Sequence, residues 1–97
     1  MTKLGLFLRL EAKPGKENAV AEFLKNALPM TIQENYAVSW YAFQLNENTF
    51  GIFDSFSNEE ARTGHLQGRI AQQLMTQAPD LFSNKLEIER LDILAAK

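Results

Sequence analysis

The chain has 97 residues, a net charge of −2, 45% hydrophobic and 23% charged residues, and no cysteine. That length is one domain, residues 1–97, and the absence of cysteine excludes disulfides, thiolate catalysis and iron–sulfur or zinc–thiolate sites. Scattered positive charge argues against a nucleic-acid partner, the single histidine against a protein-bound transition metal, and the lack of any apolar run near ~20 residues against a membrane span.

"KLGLFLRLEA" opens the ordered part as a strand. Leu4, Leu6, Leu8 and Leu10 fall on one face, and Gly5, Phe7, Arg9 and Glu11 on the other. The apolar run alternates with polar residues and lacks a small-residue cleavage site, so it does not read as a signal peptide. The cytoplasm is the default compartment. "KPGKENAVAEFLKNALPMTIQEN" reads as a helix, with Val20, Phe23, Leu24, Ala27, Leu28 and Thr31 on one stripe. Pro29 lies inside the pattern and predicts a kink or short break, because it cannot donate to the carbonyl of Lys25.

"YAVSWYAFQLNENTFGIFDSF" reads as a β-hairpin turning at "NEN", with aromatics on both faces of both strands. "SNEEARTGHLQGRIAQQLMTQAPDLF" is a second helical segment. Ser57 and Glu60 fit a capping box. Ala61, His65, Gly68, Ala71, Met75 and Ala78 share one side, with Met30 and Met75 as gap fillers near the helices. Gly64 and Gly68 each weaken a helix by roughly 1 kcal/mol, so a break near Gly68 and a restart at Arg69 are expected, with Pro79 as the stop. "KLEIERLDIL" is a last strand.

The order β-α-β-β-α-β is the α+β, ferredoxin-like plan: a four-stranded antiparallel sheet with the helices on one face and the first and third strands central. The open face should then be polar in a monomer. Here every strand carries large apolar residues at both parities, which predicts a two-fold homodimer packed sheet to sheet.

The run "GIFDSFSNEEARTGHLQG" resembles the antibiotic biosynthesis monooxygenase domain family: an apolar strand with an acid and an aromatic (Asp54, Phe56), a short acidic turn, then a helix bearing a histidine (His65). "LRLEAKPGKENAVAEFLKNAL" is similar to that family's first strand and helix. The resemblance covers nearly the whole chain. It implies a homodimeric, so-called dimeric α/β barrel and, in some members, oxidation of aromatic polyketides or quinols by dioxygen with no metal or flavin cofactor. Haem-degrading relatives use an asparagine where this chain has Leu8, a tryptophan where it has His65, and a second histidine that it lacks. Haem degradation is therefore disfavoured.

His65 and Asp54 are the candidate catalytic residues. Each lies about 10 Å from the strand–helix turn, at ~1.5 Å per helical and ~3.3 Å per strand residue. If Asp54 faces the helices, an imidazole–carboxylate pair is feasible, favouring protonated imidazole. His65 would then take the proton of a phenol or hydroquinone. Gly64 and Gly68 leave either a close helix–sheet contact or an empty pocket there. Arg9 could hold an anionic substrate oxygen, or pair with Glu11, Asp54 or Asp92. Trp40, Tyr41, Phe56 and Gly68 complete the candidate substrate site, for a small aromatic ligand. The opposing reading keeps only the fold, with His65 packed and hydrogen-bonded in a non-catalytic, ligand-binding or stress-related dimer.

Overall fold

The computed structural model describes residues 2–97. The elements are β1 (Leu4–Glu11), α1 (Glu17–Glu34), β2 (Ser39–Asn46), β3 (Thr49–Phe56), α2 (Glu59–Leu66), α3 (Arg69–Leu81) and β4 (Ile88–Asp92). The strands form one antiparallel sheet in the order β2-β3-β1-β4, with β1 and β3 central. This is the ferredoxin-like plan, with its second helical segment divided in two.

Period-two alternation decides which side chains meet the helices. In β1, Leu6, Leu8 and Leu10 are buried, and across the ladder they face Asp54, Ile52 and Phe50 of β3. Val20 and Leu24 of α1 and Leu74 and Leu81 of α3 close the core over them. Phe7, Tyr41, Phe43 and Phe53 lie on the opposite, open face, where Phe7 and Phe43 stack with centroids 6.4 Å apart. Gly51 makes that stack possible: a Cβ there would sit 2.5 Å from Phe43 Cζ.

Several local expectations are corrected. The cap of α2 is Asn58, whose side chain accepts from Ala61 N at 2.8 Å, rather than Ser57. α1 runs unbroken through Pro29, because Pro29 and Lys25 are both exposed and water can serve the freed carbonyl. α3 likewise continues past Pro79 to Leu81, whose side chain is buried in the core. The break at Gly68, in extended conformation, resets the helical phase. Ile70, Leu74 and Leu81 therefore face inward, and Met75 is 56% exposed rather than a filler. The last strand is shorter than its pattern, with five residues and a mostly exposed surface.

Candidate functional site

Asp54 sits in the middle of central strand β3, on the face toward the helices, between Leu6 of β1 and Trp40 of β2. α2 folds back over the same face. His65, in its last turn, brings Nε2 within 2.9 Å of Asp54 Oδ2. A second carboxylate completes the arrangement. Glu34, the last residue of α1, places Oε1 3.1 Å from His65 Nδ1, and its Oε2 accepts from Ile70 N at the start of α3. Phe56 packs its ring against the imidazole, centroids 5.4 Å apart.

Both imidazole nitrogens thus face carboxylate oxygens. A neutral imidazole has only one N–H, so one carboxylate would confront a lone pair; the imidazolium satisfies both. Burial works against the charge, but the contact with Asp54 and the negative charges of Asp54 and Glu34 outweigh it, and the His65 pKa lies above its usual value. Carboxylate oxygens thus engage both ring nitrogens of His65, Asp54 at Nε2 as the sequence pairing allowed and Glu34 at Nδ1 in addition.

The glycines are also reassigned. A Cβ at Gly64 would lie 2.7 Å from the Tyr36 ring, and one at Gly68 would collide with the Glu34 carboxylate. They open neither a helix–sheet contact nor a pocket. They admit the end of α1 beside the histidine.

Beside the pair is a small cavity of about 40 Å³, lined by Leu6, Trp40, Ile52, Asp54, His65 and Ile70 among others. Trp40 also borders an open groove of about 430 Å³ between α1 and β2, with Leu24, Leu28, Ala42, Phe43 and Phe50. Trp40 Nε1 is buried and has no hydrogen-bond partner among the described residues. Arg9 lies elsewhere: its side chain is on the open face, 54% exposed and 4.0 Å from Glu11. Tyr41, 60% exposed, has its ladder position on that face too but also lines the α1–β2 groove. Both are one residue out of phase with the His65 face.

Glu34 escaped the sequence reading, as did Arg62. Buried Arg62 donates to Gly5 O and Leu91 O at 3.3 and 3.4 Å and pairs with Glu59 at 2.6 Å, tying α2 to β1 and β4. One local signal did mark Glu34. An acid at the last residue of a helix opposes the macrodipole, and such a conflict points to a tertiary partner.

No family model matches the chain, and no curated protein matches it. Solved structures do. The NE2512 protein of unknown function from Nitrosomonas europaea is 49% identical, over all of this chain and 94% of that one, with a TM-score of 0.96. PA3566 from Pseudomonas aeruginosa is 20% identical, over 98% of this chain and 97% of that one, with a TM-score of 0.83. An antibiotic biosynthesis monooxygenase is 14% identical, over 95% of this chain and 99% of that one, with a TM-score of 0.80. At such identities the last two speak to the fold alone. The chain belongs to the same family as the Nitrosomonas europaea protein and has the fold of the antibiotic biosynthesis monooxygenases.

Proposed function

We propose that this protein is a cofactor-independent monooxygenase acting on a small phenol or hydroquinone at the Asp54–His65 pair. The observation that carries the reading is the pair itself: a carboxylate and an imidazole 2.9 Å apart, buried between sheet and helices beside an apolar cavity. Titratable groups with perturbed environments cluster at functional sites, and a buried pair beside an apolar cavity is the kind of place where such sites are found. The fold shared with an antibiotic biosynthesis monooxygenase supports the reaction class.

The chemistry follows from that geometry. Asp54 accepts the phenolic proton, and the pair holds it while His65 is in its neutral form. The phenolate gives one electron to dioxygen, and the two radicals combine at a ring carbon bearing hydrogen. The stored proton returns to the peroxide, which loses water to leave a new carbonyl. One oxygen atom ends in the quinone and the other in water. The protein contributes orientation and a dry site.

The protein works as a cytoplasmic homodimer in this reading. Its open face carries the Phe7–Phe43 stack, Phe53 and the largely exposed Tyr41, an apolar surface that a second copy would cover.

A specific observation favours a second reading, a non-catalytic module. Glu34 and Asp54 occupy both nitrogens of His65, so the triad also serves as a cross-link between α1, α2 and β3. Oxygen uptake with a panel of phenols and hydroquinones separates the two. Catalysis is expected to give uptake that Asp54→Asn abolishes. Uptake no faster than buffer across the panel, with a folded protein, leaves the cross-link reading.

A further inference from the structure

The cavity beside Asp54 and His65 is too small for the ring that the proposed reaction needs. Engineered apolar cavities take up benzene at about 150 Å³, whereas a water needs only about 10–15 Å³ of such space. At about 40 Å³ this cavity suits a molecule the size of water or dioxygen. The groove between α1 and β2, at about 430 Å³, has room for one or two fused rings. Among the described residues, Trp40 is the one that lines both spaces.

We propose that Trp40 is a gate and hydrogen-bond donor between two compartments, with the aromatic ring held in the α1–β2 groove and only its reacting edge passing the indole toward Asp54. The assignment rests on the monooxygenase reading for what enters, but not for how binding is measured.

Three observations support it. First, the groove is walled by Leu24, Leu28, Ala42 and Phe50, with Lys25, Gln44 and the phenol-bearing Tyr41 as its polar members. A flat apolar ring fits such a lining, with a polar substituent at the rim. Second, Trp40 Nε1 is a buried donor without an acceptor among the described residues. An indole N–H normally finds a partner when buried, and an oxygen substituent on a ring in the groove would supply it. Third, the indole is half-buried, packed against the core on one side and bordering the groove on the other, so it forms the wall between the two spaces. Ring size would then be selected by how far the indole must turn, not by the volume beside the histidine.

The test uses the chain's own composition. Trp40 is the only tryptophan, so a ¹⁵N-labelled protein gives one indole N–H signal. The probe is 1-naphthol under nitrogen, with cyclohexanol as the non-aromatic control. A saturable downfield shift of the indole signal with 1-naphthol and none with cyclohexanol is expected. Trp40→Phe keeps the apolar wall and removes the donor, and should weaken 1-naphthol binding about tenfold, read by calorimetry. Leu28→Arg, at a half-exposed groove position, should block it. An indole signal that 1-naphthol leaves unmoved overturns the proposal, and so does unchanged affinity in Leu28→Arg. Binding without oxygen uptake supports the gate and removes the monooxygenase; uptake without an indole shift removes the gate and keeps the monooxygenase.

Discussion

Gly68 is the space through which Glu34 reaches His65: a Cβ on residue 68 would overlap the carboxylate that lies 3.1 Å from the imidazole. The backbone there, with φ of −84°, accepts any residue, so alanine is tolerated locally. Gly68→Ala should displace Glu34 from both His65 and Ile70 N, costing about 1–3 kcal/mol. It should also lower the His65 pKa, since one of the two neighbouring negative charges moves away. With a single histidine in the chain, an NMR titration reads this directly. An unchanged titration curve would mean that Glu34 does not act on His65.

Stability should fall as the solution becomes alkaline. The folded His65 pKa is raised, first opposed by burial and then more than restored by Asp54 and Glu34. The stabilisation is therefore fully present below the unfolded value near ~6.5 and is lost as pH rises through the folded value. Urea unfolding of the wild type between about pH 6 and about pH 9 should show this loss, and His65→Gln should lack it. Parallel curves for the two proteins would sink the prediction.

Asp54→Asn leaves the buried His65 ring with only one carboxylate. Breaking such a buried arrangement costs about 3 kcal/mol, and the same change should remove oxygen uptake. In the wild type, uptake should increase with pH through the His65 titration, because the accepting state of the pair has neutral imidazole. Arg9→Ala is the contrast. Its partner Glu11 is 4.0 Å away on an exposed surface, so stability should change by less than about 0.5 kcal/mol and uptake not at all. Loss of uptake in Arg9→Ala would return that residue to the site.

The open face gives a separate expectation. Phe7 and Phe43 stack across the space left by Gly51, on the side of the sheet away from His65. The wild type should sediment as a dimer at micromolar concentration, and Phe7→Lys, which puts a charge in that apolar surface, should be a monomer of unchanged secondary structure. A wild type that sediments as a monomer removes the sheet-to-sheet dimer.

The element order and the grouping of β1 and β3 residues by parity were legible because period-two alternation needs no knowledge of the rest of the chain, whereas the face that Asp54 takes came only with the fold. The level match of Asp54 and His65 was legible too, since rise per residue is a property of the backbone. The sequence by itself determined the fold class, the break at Gly68, and which strand and which helix would carry the acid and the imidazole. It could not determine that Glu34, 31 residues before His65, would be the other partner, or that Gly64 and Gly68 serve Tyr36 and Glu34. Those depend on where the end of α1 lies against α2 and α3, a packing outcome summed over many weak contacts. Tertiary structure alone therefore set a lone histidine between two carboxylates that favour its charged form, because only a folded chain brings two like charges so close to one ring and keeps water from screening them.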